Sequence, residues 1–213
     1  MHWKRHLFVL LAAAVGFGIL AAFWSSAMKP APKPTAEAET PAPPSITAPF
    51  VTVVDPSKGP KDAPVTIVEF GDHACPYCKS TQASVDFLMS AHPDKIRFVW
   101  KSAPSPLHPG SETAAEAALC AHRQGKFWEY HAKLFEDPSM TDQSSMVILA
   151  DELGLDAAAF GDCLSTGATH PLVERTVTEA RALGVTGIPT IFINDKRYEG
   201  ALTNDELLEA TGL

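Results

Sequence analysis

The chain has 213 residues, 46% of them hydrophobic and 20% charged, with a net charge of -8. That length holds one ordinary domain with additions and supplies ample apolar material for a core. The acidic balance, with no basic patch, excludes a surface built to bind nucleic acid, because phosphate recognition demands clustered lysine and arginine.

The first feature in chain order is an apolar run. Lys4 and Arg5 precede "LFVLLAAAVGFGILAAFW", Leu7 to Trp24, which contains no charge. As a helix it would span roughly 27 Å, close to the hydrocarbon core of a bilayer. Basic residues ahead of the run hold the start in the cytoplasm and send the remainder across. Residues 1–28 are therefore expected to be a membrane anchor. A cleaved signal peptide is the rival reading, with "SSA", Ser25 to Ala27, as the small-residue cut site. The run exceeds the roughly 7–15 apolar residues that such peptides use. Residues 29–49, "KPAPKPTAEAETPAPPSITAP", cannot build a core and predict a semi-extended linker. A tether is useful when its upstream end is fixed, which favours the anchor. Either reading exports residues 50–213 to the periplasmic or exoplasmic side, where disulfides persist and four cysteines are read as possible pairs.

Within that domain, "FVTVV", Phe50 to Val54, predicts a first strand, followed by a turn on Gly59 and Pro60. "VTIVEFG", Val65 to Gly71, predicts a buried strand. "KSTQASVDFLMSA" has helical spacing at Val85, Leu88 and Met89, and "KIRFVWKS", Lys95 to Ser102, predicts another strand. Strand, helix, strand implies a parallel pair with a right-handed crossover. A long helical region follows: "ETAAEAALCAH", "KFWEYHAKLFE", "DQSSMVILADEL" ending at Gly154, "AAAFGDCLS" capped by Asp156, and "PLVERTVTEARAL" opened by Pro171. Trp128 and Tyr130 are read as core of this lobe. "PTIFIN" and "KRYEG" then form a hairpin turning at Asn194-Asp195, and Thr203 with Glu206 supplies a capping pattern for a last helix.

The chemistry concentrates in "HACPYCKS", His73 to Ser80. Cys75 follows a strand and opens a helix, with Pro76 in the favoured first turn. Unpaired N–H groups and partial positive charge at a helix amino end favour thiolate over thiol, so the pKa of Cys75 is expected to fall. Cys78 lies one turn further on the same face, within reach of a disulfide. Cys75 is then an exposed nucleophile and Cys78 a sheltered resolving thiol. Two inert cysteines are the bland alternative. Zinc is the other, but Cys120 and Cys163 form no second short-spaced pair, and His73, His108, His122 and His131 show no ligand spacing, so no metal is expected. His73 either donates a hydrogen bond near Cys75 or is a solvated loop residue. Cys120 and Cys163 sit on different predicted helices and are expected to form a structural disulfide, with a chain-entropy gain of about 4 kcal/mol at most; two buried free thiols are the alternative.

A C-x-x-C at a strand–helix junction, combined with the late "GVTGIPTIFIN" before a hairpin, resembles the thioredoxin superfamily. About 110 mostly helical residues separate Cys78 from Pro189. Together with "GPKDAPVTIVEF", "PLHP" and "AAEAALCAHRQGKFWEYHAKLF", that spacing resembles exported DsbA-like oxidoreductases, from about Gly59 to the end of the chain. The resemblance implies an α/β thioredoxin fold with an inserted all-helical lobe at about residues 108–184. It implies that Pro189 is cis and lies against the dithiol, with Ile188 offering backbone groups to a peptide. Pro76, Tyr77, Ile188 and Pro189 are thus the candidate substrate-binding residues. It places Glu69 beneath the dithiol as a proton relay to Cys78, a role that burial and a raised pKa would suit, with an edge or outward-facing strand residue as the bland alternative, and Lys101 is a candidate partner for Glu69. The implied activity is a protein disulfide oxidase acting on reduced exported proteins, reoxidised by a membrane partner of the DsbB kind, without a cofactor. A reductase or isomerase kept reduced by a membrane donor is the alternative within the class, and Ile188 before the proline leaves the direction open. A tethered peptide-binding or chaperone module is the alternative outside it.

Overall fold

Five strands form one mixed sheet in the order β1-β3-β2-β4-β5. The computed structural model describes residues 46–213, so the expected anchor and most of the expected linker lie outside the described residues. The strands are β1 (Ser57–Lys58), β2 (Val65–Gly71), β3 (Ile96–Ser102), β4 (Thr190–Ile193) and β5 (Lys196–Glu199). The helices are α1 (Pro76–Ala91), α2 (Ser111–Arg123), α3 (Phe127–Glu136), α4 (Gln143–Glu152), α5 (Ala157–Ser165), α6 (His170–Ala182) and α7 (Asn204–Thr211). Among the described residues, no helix is long and apolar enough to cross a membrane.

The β2–α1–β3 unit is the parallel pair that the sequence predicts, with Val65 opposite Ile96 and Glu69 opposite Trp100. β4 runs antiparallel to β2, placing Ile191 opposite Glu69. The two-residue alternation of strands then separates two cores. Ile67, Glu69, Phe98, Trp100 and Ile191 share one face, packed with α1, α7 and the helical lobe, while Val68, Phe70, Val99 and Phe192 face α6 through Ala180 and Leu183. Helices α2 to α6 all lie between β3 and β4, and Cys120 on α2 is joined to Cys163 on α5 by a disulfide with Cα atoms 6.0 Å apart. Tyr130 is wholly buried and its hydroxyl donates to the Met146 carbonyl at 2.8 Å.

Capping follows the sequence. Asp156 accepts from the Ala159 N–H at 2.9 Å, and Thr203 with Glu206 forms a reciprocal capping box. Gly59 has φ of 87°, and a Cβ there would lie 2.0 Å from the Ile96 carbonyl oxygen, so this turn accepts only glycine.

The predicted strand at Phe50 to Val54 does not form. The Thr52 N–H and hydroxyl both donate to the Asp55 carboxylate, at 2.7 and 2.8 Å, and curl the chain into a turn. Val53 is 93% exposed as a result. Pairing with β3 is taken over by Ser57 and Lys58, opposite Val99 and Phe98. A local carboxylate cap has outcompeted strand propensity here.

Candidate active site

Strand β2 ends at Gly71, whose missing side chain is required by its neighbours. A Cβ there would meet the Trp100 ring at 2.5 Å and a Glu69 carboxylate oxygen at 3.0 Å. The chain then turns through Asp72, His73 and Ala74 into Cys75, the N-cap of α1, with Pro76 in the first turn. Cys75 and Cys78 are both free thiols. The Ile188–Pro189 peptide bond is cis, and the Cys75 Sγ lies 3.9 Å from the Ile188 carbonyl oxygen. The turn before α1 and the turn before β4 therefore meet at this sulfur, 113 residues apart in sequence.

Exposure differs from the sequence-based expectation at one point. Cys75 is only 4% exposed, rather than an open nucleophile, because the Ile188 turn packs against it. Pro76 and Tyr77 beside it are exposed, Tyr77 to 66%. Cys78 is fully buried, and burial followed by the nearby Glu69 charge pushes its thiol pKa far up. The Asp72 backbone N–H, 3.5 Å from the Cys78 Sγ, works in the opposite direction.

Glu69 is wholly buried, and neither of its carboxylate oxygens has a hydrogen-bond partner. Burial raises its pKa well above the ordinary carboxylate value; Lys58 opposes the shift and Asp86 adds to it. Lys101 is not its partner. Lys101 pairs in register with Phe70, one residue beyond Glu69, and so projects from the other face of the sheet. There it meets Asp55 at 3.1 Å, Glu179 at 3.0 Å and the Phe50 carbonyl at 2.6 Å.

His73 is neither solvated nor aimed at Cys75. It is 3% exposed, its Nε2 lies 3.0 Å from the Nδ1 of His131, and the His131 Nε2 lies 2.9 Å from the Gln82 Oε1. The Gln82 amide nitrogen donates to Asp86 at 2.9 Å, which turns its oxygen toward His131. With both rings neutral, His131 donates through Nε2 and accepts at Nδ1 from the His73 Nε2–H. Burial lowers the His73 pKa to about 4, against a smaller pull from Asp72, and lowers His131 well below the usual value, assisted by His73 and Lys58.

Asp72 and the pairing of His73 with His131 escaped the sequence reading. His131 sits on α3, 58 residues from His73, and no motif connects them. Asp72 carried a usable signal: an acidic residue just ahead of a helix start commonly accepts local N–H groups. The Cys120–Cys163 disulfide removes two of the four sulfurs from any shared zinc ligand set.

Comparison with known proteins places this geometry. A family model described as Thioredoxin matches residues 52–211. The Na(+)/H(+) antiporter NhaA 1 of Salinispora arenicola is 36% identical over 162 residues, covering 74% of this chain and 24% of the antiporter. The antiporter NhaA of Herminiimonas arsenicoxydans is 34% identical over 161 residues, covering 74% and 26% respectively. The chain thus spans about a quarter of the length of the curated relatives it matches. Among solved structures, a thioredoxin-like oxidoreductase from Silicibacter pomeroyi superposes with a TM-score of 0.68 at 29% identity, covering 76% of this chain and 92% of that one. Oxidised BdbD from Bacillus subtilis gives a TM-score of 0.66 at 26% identity, covering 75% and 91%. The strand–dithiol–helix junction, the cis proline beside it, the helical lobe and these matches agree: the chain belongs to the thioredoxin family.

Proposed function

We propose that this domain is an exported thiol–disulfide oxidoreductase working as an oxidase of reduced exported proteins. The observation that carries the reading is the Cys75 Sγ at the amino end of α1, 3.9 Å from the carbonyl of a cis Ile188–Pro189 bond. A helix amino end supplies N–H groups and partial positive charge to an anionic sulfur, which makes Cys75 both the attacked atom and a good leaving group. In the oxidised enzyme a substrate thiolate attacks the Cys75 sulfur and the Cys75–Cys78 bond breaks. A second substrate thiolate attacks the substrate sulfur of the mixed disulfide and releases Cys75. The substrate loses two electrons and its two thiol protons, and the enzyme is left as the dithiol. Cys78 then needs a proton, and the buried carboxyl of Glu69 is the group suited to deliver it.

Because Cys75 is 4% exposed, exchange proceeds within a docked complex rather than on casual collision. Pro76, Tyr77 and the Ile188–Pro189 backbone are the surfaces a peptide meets first. The antiporter relatives carry a matching segment within a transporter chain, which supports a domain held at a membrane, in keeping with the anchor read for residues 1–28. Reoxidation falls to a membrane partner of the DsbB kind.

The test combines one variant with one titration. Oxidised protein is mixed with a reduced, unfolded multi-thiol substrate, and disulfide formation is followed by alkylation. Cys75→Ser is expected to abolish turnover; full function in that variant would point to a peptide-binding module instead. Titration of Cys75/Cys78 in glutathione buffers is expected to give a potential well above thioredoxin's value of about -270 mV. A potential at thioredoxin's value would reverse the direction to reductase.

A further inference from the structure

Asp72 makes more hydrogen bonds to the dithiol turn than any of the residues already assigned to it. It is 2% exposed. Its backbone N–H points at the Cys78 Sγ at 3.5 Å, and its carbonyl accepts from the Cys75 N–H at 3.1 Å. Its carboxylate is equally committed. Oδ1 accepts from the Ala74 N–H at 2.9 Å, while Oδ2 accepts from the Ser105 N–H at 3.0 Å and from the His108 Nδ1–H at 2.7 Å. One side chain therefore fixes the turn that presents both sulfurs and ties it to the loop after β3. The His108 ring is 29% exposed and lines an open groove of about 550 Å³ between that loop and α6, together with Glu112, Glu174 and Arg181.

We propose that Asp72 is a positioning residue for the dithiol, and that the charge it shares with His108 sets part of the equilibrium between the Cys75–Cys78 disulfide and the dithiol. This rests on the thiol–disulfide reading above. Reduction by two glutathione molecules breaks the Cys75–Cys78 bond and forms one glutathione disulfide. Two electrons pass to the enzyme sulfurs with the two glutathione protons, and a proton goes to solvent wherever a sulfur stays ionised. The oxidised pair is neutral and an ionised reduced pair is negative, so a neighbouring carboxylate opposes reduction. The N–H of His108 draws off part of that carboxylate's charge and relieves the opposition. The two side chains thus act on the same equilibrium with opposite signs. A merely structural role for the pair would loosen the turn in both variants and move the equilibrium the same way.

The equilibrium constant for reduction by glutathione is measured by alkylation for the wild type and for Asp72→Asn, His108→Ala, His108→Asn and the Asp72→Asn/His108→Ala pair. Asp72→Asn is expected to favour the dithiol about tenfold, equivalent to about 30 mV for a two-electron couple. His108→Ala is expected to favour the disulfide about threefold. His108→Asn, whose amide nitrogen stands as many bonds from Cβ as Nδ1 does, is expected to restore the wild-type constant, and the double variant is expected to follow Asp72→Asn. Shifts of Asp72→Asn and His108→Ala in the same direction, or both within measurement error of the wild type, overturn the proposal. If Asp72→Asn does not fold, the His108 pair decides alone: no loss in His108→Ala, or no recovery in His108→Asn, overturns it. A wild type that forms no Cys75–Cys78 disulfide in oxidising buffer would defeat the parent reading as well. A wild type that titrates while the variants do not differ would defeat only this one.

Discussion

Two buried ionisable residues, one on each face of the same sheet, show opposite solutions to the same physical problem. Glu69 and Lys101 are each wholly buried, on neighbouring strands and one residue out of register. Lys101 is surrounded by compensation: Asp55 and Glu179 at 3.1 and 3.0 Å and the Phe50 carbonyl, with Arg175 reaching Asp55 at 2.6 Å. Glu69 has no hydrogen-bond partner, and burial drives it toward its neutral form. The face away from the dithiol keeps charges and pairs them. The dithiol face drives Glu69, His73 and His131 toward their neutral forms by burial, and a neutral carboxyl near a buried thiol is suited to deliver a proton. Pairing holds the charge on one side, and the want of it on the other suits the proton delivery proposed for Glu69.

The largest expected effect breaks the paired face. Lys101→Met leaves Asp55 and Glu179 buried beside a methyl group, and removing one member of a buried ion network costs about 3–5 kcal/mol. Denaturant unfolding at neutral pH should show that loss, while the Cys75/Cys78 exchange rate of the folded fraction stays at the wild-type value. An exchange rate that fell with the stability would mean the two faces are not separable in function.

The next effect sharpens the neutral face. His73 has a pKa near 4 when folded and an ordinary value of 6.5 when unfolded. Below 6.5 the unfolded chain gains a proton that the folded chain refuses, so stability falls as the pH drops through this window and rises again toward neutrality. The shift corresponds to about 3 kcal/mol between pH 6.5 and 4, with His131 adding in the same direction. Unfolding of His73→Phe at pH 7 and pH 4 should lose correspondingly less between the two than the wild type does. Equal pH slopes would mean that the ring is not held neutral by the fold.

Much of this arrangement was legible in the residues. The strand–turn–helix at Gly71 to Pro76 was legible from local signals, since glycine and proline each impose a backbone geometry that needs no tertiary information, whereas the Ile-Pro-Thr at the start of β4 joined the site only through the family resemblance. Periodicity and caps located the helices for the same reason. What escaped depended on register or on distant contacts. Assigning Lys101 to Glu69 required knowing that Glu69 stands opposite Trp100 rather than Lys101, a one-residue offset that exchanges the faces of the sheet. The strand expected at Phe50 to Val54 was lost to the Asp55 carboxylate, whose hold depends on Lys101 and on Arg175, 120 residues away. The His73–His131–Gln82–Asp86 chain joins three elements whose sequences share no pattern.

The smallest expected effect tests the neutral face at its centre. Glu69→Gln keeps the size and shape of the side chain and removes its titratable proton. If the carboxyl supplies the proton that Cys78 needs, the release of Cys78 from a disulfide should slow by about tenfold, or ~1.4 kcal/mol in barrier, when followed in single-turnover mixing with a model dithiol. Stability should move the other way with pH. Because burial raises the folded pKa of Glu69, the wild type holds a proton above pH 4.5 that the unfolded chain has lost, so this residue's contribution falls as the pH rises through its folded value. Glu69→Gln removes that dependence and should be at least as stable as the wild type at pH 8. An unchanged single-turnover rate across pH 6 to 8 would leave Glu69 a buried acid without a role in exchange, and the neutrality of this face would then be a consequence of packing alone.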